Sequence, residues 1–277
     1  MYIGIGIVLI AGLFLLYGFC GNNLLTTEQY QLSSGKLEKD TVMVLLTDLH
    51  TCSHGRKNEK LLQKIKESRA DFICIAGDMV VKNGKRTAEV VSFIKKLVVE
   101  YPVYYSPGNH EIRMPEYEKY REELRRAGVI YLENESVETA GGICITGLDL
   151  PEYWYHKVWQ KREFTVSEMT HLLGKCRQDC YTVLLAHNPE YFRQYAGWGA
   201  DLTLSGHLHG GIARLPFLGG VISPSLRLFP AYDAGKFERQ GRYMIVSRGL
   251  GLHHIKLRFF NRPEVSVINL TCHLKGK

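Results

Sequence analysis

The chain has 277 residues, of which 45 % are apolar and 23 % charged, a composition that excludes a disordered segment and allows one large folded domain with an appendage. Its formal charge of +7 suits anionic partners, yet no block of consecutive Lys or Arg marks a nucleic-acid arm. Seven cysteines, an odd number with no C-x-x-C pair, argue against a disulfide framework.

In chain order, the first event is apolar. Tyr2 to Thr27 carries no charged residue, and Ile3 to Cys20 is nearly all apolar or glycine. Those residues, at about 1.5 Å each, make a helix of about 27 Å, near the thickness of a bilayer's hydrocarbon core. No Lys or Arg precedes the run and no small-residue cleavage signal follows it. The pattern predicts an uncleaved single-pass anchor in the cell membrane over 1–25, a polar linker over 26–40 and a folded domain over 41–277. Lys36 and Lys39, offset by Glu28, Glu38 and Asp40, do not fix the side of the membrane that the domain faces.

Beyond the linker, apolar runs and amphipathic segments alternate. Strands are predicted at Val42 to Leu46, Phe72 to Ala76 and Val103 to Tyr105, with helices over Asn58 to Arg69, Thr87 to Glu100 and Pro115 to Ala127. That alternation implies parallel pairing with helices on the sheet faces. After Ile130, Gly141-Gly142 separates Ser136 to Thr139 from Ile143 to Leu148 as a hairpin would. A helix at Ser167 to Arg177 follows, then strands at Thr182 to Ala186, Leu202 to Ser205, Arg242 to Ser247 and Val265 to Leu270.

Five of the apolar runs end in residues suited to metal chemistry. They run into Asp48-Leu49-His50, Gly77-Asp78, Gly108-Asn109-His110-Glu111, His187-Asn188-Pro189 and Gly206-His207-Leu208-His209. Ligands of α/β sheets bind beyond the carboxyl ends of the strands, so these groups are expected at one edge. Alternate residues of an extended chain point the same way, which lets Asp48 and His50 reach one ion together. Oxygen and imidazole donors without thiolate suit Mn, Fe, Zn or Co. Two such ions can clamp a phosphoryl group and acidify a bound water.

The order D-x-H, G-D, G-N-H-E, a later His, and G-H-x-H resembles the calcineurin-like metallophosphoesterase superfamily. Ala186 to Glu190, Leu204 to Gly211, Ser247 to Gly251 and Arg258 to Glu264 resemble a bacterial branch whose members carry a membrane anchor or export signal, which would place the domain outside the cytoplasm. The resemblance implies two packed mixed β-sheets flanked by helices, four layers in the order αββα. It implies one metal on Asp48, His50 and His209, a second on Asn109, His187 and His207, and Asp78 bridging them. A hydroxide between the two ions would attack phosphorus, with His110 stabilising the developing charge or protonating the leaving oxygen. Ile212 and Val81 depart from the branch, which commonly has Gln and Asp at those places. Neither is a ligand, so substrate recognition is what the departures touch.

Phosphate contacts are predicted, as candidates only, at His54, Arg56, Arg113 and His254. The apolar, proline-rich stretch Leu215 to Pro230 is predicted as a lip facing lipid or substrate, with Phe217, Leu218, Val221 and Ile222 partly exposed. The expected function is hydrolysis of a phosphodiester or phosphomonoester, in a small molecule or a lipid-linked substrate. A pyrophosphohydrolase acting on a nucleotide-linked lipid or glycan precursor is the alternative. A non-catalytic membrane-bound receptor for phosphorylated lipid or glycan would be expected to have lost a ligand, and none is missing.

Overall fold

The structure, a computed structural model, describes residues 2–155, 163–211, 214–215, 219–221, 228–252 and 257–273. Helix α1 (Tyr2–Gly21) is followed by β1 (Thr26–Ser34), β2 (Thr41–Leu46), α2 (Glu59–Glu67), β3 (Phe72–Ala76), α3 (Thr87–Glu100) and β4 (Val103–Ser106). Next come α4 (Asn109–Ile112), α5 (Tyr117–Arg126), β5 (Ile130–Tyr131), β6 (Glu135–Glu138), β7 (Ile143–Leu148), α6 (Val166–Leu173), β8 (Tyr181–Ala186) and α7 (Phe192–Trp198). The chain closes with β9 (Leu202–Ser205), the small hairpin β10 (Arg214–Leu215) and β11 (Gly219–Gly220), then β12 (Gly235–Arg239), β13 (Arg242–Val246) and β14 (Glu264–Cys272).

Two mixed six-stranded sheets result, in the orders β1-β14-β2-β3-β4-β5 and β12-β13-β9-β8-β7-β6. The period of two along each strand assigns its side chains to two different cores. In β2, Met43 and Leu45 face the other sheet and meet Val183, Leu185, Leu202 and Leu204. Val44 and Leu46 face outward onto Leu61 and Ile65 of α2 and Ile94 and Leu97 of α3. The second sheet does the same, with Leu184 and Ala186 packed against Met169 of α6 and Tyr195 of α7. Four layers, αββα, therefore hold the parallel strands β2, β3 and β4 beside β8 and β9. The carboxyl ends of these five strands carry the groups of chemical interest.

Two features differ from the sequence expectations. The segment expected as a linker, 26–40, holds β1, which pairs in parallel with β14 from Thr26↔Glu264 to Ser34↔Cys272. Its residues show no apolar alternation because it is an edge strand: only Leu32 is buried, and backbone pairing supplies the rest.

The single-pass membrane anchor is corrected. Among the described residues no helix is long and apolar enough to cross a membrane. The end of α1 lies on the domain instead. The Arg258 N–H donates to Gly18 O at 2.9 Å, the Tyr17 and Phe260 rings meet tilted at 5.4 Å between centroids, and Gly21 closes on the Arg258 carbonyl. With the anchor goes the expected placement on either face of a membrane.

Candidate metal centre

Each site residue stands where a buried strand ends, and the backbone bends sharply there. Asp48, His50, Asp78, His207 and His209 all have positive φ, between 47° and 71°. That left-handed conformation is costly outside glycine and persists only where surrounding bonds enforce it. The enforcing bonds run between neighbouring strand ends: Asp48 N–H to Gly77 O at 3.0 Å, His50 N–H to Asp78 O at 3.1 Å, and Gly206 N–H to His187 O at 3.1 Å. Gly206 passes so close to Asp48 that an added Cβ would overlap its carboxylate, and Gly108 is equally tight against Asp78.

Among the described residues three groups of donor atoms result, each with its atoms within 4.8 Å of one another: Asp48, His50 and His209; Asp78, His187 and His207; and His50, Asp78 and His110. Nε2 of His50 and of His209 lie 3.1 Å apart. Asp48 Oδ1 is 3.7 Å from the former and 3.6 Å from the latter. His187 Nε2 lies 3.1 Å from Asp78 Oδ2 and 3.9 Å from Asp48 Oδ1, so it stands between the two carboxylates. Asn109, at the start of α4, is buried, and its Oδ1 has no hydrogen-bond partner.

The residues fit divalent metal. His187 Nδ1 lies 2.6 Å from Ala76 O and His209 Nδ1 lies 3.1 Å from Gly251 O. A carbonyl can only accept, so each Nδ1 carries the proton and each Nε2 lone pair faces the centre. His187 Nε2 and Asn109 Oδ1 are buried acceptors without hydrogen-bond donors, which a cation would satisfy. Burial works against charge here, yet the neighbouring carboxylates Asp78 and Asp48 hold the pKa of His187 up at about 10. Against the same burial, the imidazoles around Asp48 and Asp78 keep both carboxyls ionised, with pKa values below the ordinary one. Two buried anions thus call for positive charge, which divalent ions supply without that proton.

His110 is oriented the opposite way. Its Nδ1 accepts from the Lys82 N–H at 3.1 Å, so its neutral form carries the proton on Nε2, 4.0 Å from Asp78 Oδ2. Burial lowers its pKa to about 4.

The other phosphate-contact candidates are not brought to the centre as free cations. His54 is buried and its Nε2 donates to Leu250 O at 2.7 Å, and Arg113 is paired with Glu152 at 2.9 Å. Arg56 is exposed on a turn ahead of α2. His254 lies outside the described residues, as do Phe217, Leu218 and Ile222 of the expected lip; Leu215, Leu228 and Phe229 of that stretch are exposed.

Sequence reasoning assigned no role to several positioning groups. Glu111, fully buried, accepts from the N–H groups of Asp78, Met79 and Gly108 at 2.8, 2.8 and 3.0 Å and from Tyr105 Oη at 2.7 Å. The buried Arg258 guanidinium donates to the carbonyls of Arg248, Gly249, Gly251 and Asn261, and Asn261 Nδ2 donates to His209 O. The Tyr155 ring stands edge-on to His207 at 5.4 Å. The available signal was polarity within buried runs: a carboxylate directly after His110 and an arginine between apolar residues.

A model of the calcineurin-like phosphoesterase family matches residues 42–211, which contain every one of these strand-end groups. The chain belongs to that family. It is 30 % identical over 239 residues to an uncharacterized metallophosphoesterase of Helicobacter pylori, covering 85 % of this chain and 61 % of that protein. It is 29 % identical to an uncharacterized metallophosphoesterase of Aquifex aeolicus, covering 94 % of this chain and 96 % of the relative. The chain therefore spans about three fifths of the Helicobacter relative's length. Among solved structures, TT1561 of Thermus thermophilus shares the fold at a TM-score of 0.50, with 12 % identity over 76 % of this chain and 90 % of that one. This calcineurin-like chain thus carries the fold and the donor set of a metal-dependent phosphoesterase.

Proposed function

We propose that the protein hydrolyses a phosphate ester, mono- or diester, of a phosphorylated small molecule, with two divalent ions of Mn, Fe, Zn or Co at the strand ends. Asp48, His50 and His209 would hold one ion, Asn109, His187 and His207 the other, and Asp78 both. The observation that carries this is the placement of Asp78, whose carboxylate belongs to a donor group with His187 and His207 and to another with His50 and His110. Bound there, the ions would neutralise phosphoryl oxygens and acidify a water to near neutral pH. The chain's own residues do the rest. Carbonyls fix the imidazole tautomers, Glu111 holds the Asp78 loop, and His110 presents Nε2–H to oxygen. A pKa held low by burial suits His110 to hydrogen-bond donation toward the developing charge, ahead of full proton delivery.

The test is turnover of 4-nitrophenyl phosphate and bis(4-nitrophenyl) phosphate by protein stripped of metal and resupplied with Mn²⁺, Co²⁺, Zn²⁺ or Fe²⁺. Activity should need added metal and should vanish in Asp78→Asn. Turnover without metal, or an Asp78→Asn variant as active as the parent, would refute the proposal.

A further inference from the structure

A cleft of about 540 Å³ includes His50 in its wall, a residue whose buried imidazole belongs to two of the donor groups. That volume lies within the roughly 300–1,000 Å³ of small-molecule sites. The last turn of α1 and the residues just after it supply another wall, with Phe19, more than half exposed, and Asn23. The turn is fixed by the backbone bond from Arg258 to Gly18 and by the close packing of Gly21 on Arg258. A further wall is the loop after β3, with Lys85 and Arg86.

The charges in this cleft are one-sided. No carboxylate lines it among the described residues. Arg86 is answered by Glu89, its Nε donating to Oε1 at 2.8 Å. Lys85 has only a backbone bond, its N–H donating to Asn83 Oδ1 at 3.1 Å, and no carboxylate partner among the described residues. A cation so placed, in the same cavity as a metal-ligand candidate, raises the local concentration of anions.

We infer that this cleft receives the leaving group of the substrate and that this group bears a second negative charge, met by Lys85. Phe19 covers the apolar spacer between the two charges. The inference rests on the phosphoesterase proposal above and names the class of ester: one whose leaving group is itself anionic, through a carboxylate or a second phosphate.

The test is inhibition of 4-nitrophenyl phosphate turnover by the full chain, loaded with Mn²⁺, at low ionic strength. Alkylphosphonates of two to six carbons are compared with equally long chains ending in a carboxylate or a second phosphonate. At one spacer length the terminal anion should tighten inhibition about fivefold, as a partly exposed ion pair would. That ratio should fall to about one in Lys85→Ala, survive in Lys85→Arg and shrink with added salt. A larger gain from the phosphonate end identifies a second phosphate, and a larger gain from the carboxylate end an acidic group. No gain at any length in the parent, or a gain that persists in Lys85→Ala, overturns the inference. Absence of turnover with every metal overturns the phosphoesterase proposal instead.

Discussion

The orientation of each imidazole decides what it can do. His187 and His209 turn Nδ1–H to carbonyls and leave Nε2 as an acceptor, whereas His110 receives an amide N–H on Nδ1 and keeps its proton on Nε2. His110→Ala should therefore retain metal content while lowering kcat by about 10²–10³, the size of a lost donor to developing charge. Loss of metal in that variant, measured by plasma emission, would make His110 a ligand. A second residue-scale expectation concerns stability. Burial, reinforced by Glu133, raises the pKa of Asp149 from 3.8 to about 6. The folded state then keeps a proton that the unfolded state releases, so this contribution is full below pH 4 and is lost as pH rises to about 6. Asp149→Asn, a neutral isostere, should unfold like the parent at pH 4 and be more stable by about 1–2 kcal/mol at pH 7. Urea unfolding at the two pH values checks it, and an equal difference at both would refute it.

The loops beyond the strands must bend left-handed and still pass one another closely. Gly206 closes directly on the Asp48 carboxylate, so Gly206→Ala should push Asp48 aside, with metal affinity falling more than stability. Calorimetric titration with Mn²⁺ would show this, and unchanged affinity would mean that the loop yields. Glu111 gathers the backbone donors around Asp78, and Glu111→Gln replaces one of its acceptor oxygens with an amide. Metal affinity should drop about 10–100-fold, the usual cost of disturbing groups that orient ligands. Strands β2, β3, β4, β8 and β9 were legible in the sequence because buried parallel strands are continuous apolar runs. Strand β1 was not, since an edge strand of Thr, Glu and Gln is held by pairing with β14 and not by its own apolar face. The apolar run of α1 was legible as a helix, but its docking on 258–260 depends on residues more than two hundred positions away.

Across the whole molecule, two sheets share one interior and deliver their strand ends to one place. That placement could be read in advance because the D-x-H, G-D, G-N-H and G-H-x-H groups each follow an apolar run. The cross-links that tie the site's loops together could not. Arg258 ties 248–251 together from a separate segment, and its four carbonyl acceptors follow from the tertiary fold alone. Ions bound only by the folded chain should stabilise it, by about 2.7 kcal/mol at a hundred times the dissociation constant, so a chelator should lower the unfolding midpoint. An unchanged midpoint would show that the donor groups hold no ion.

The most direct measurement is anomalous scattering from crystals grown with Mn²⁺, recorded on both sides of the metal's absorption edge. Two peaks are expected, one touching Asp48, His50 and His209 and the other Asn109, His187 and His207, with Asp78 in contact with both. A single peak, or an Asp78 carboxylate that reaches only one of two, would contradict the two-ion centre.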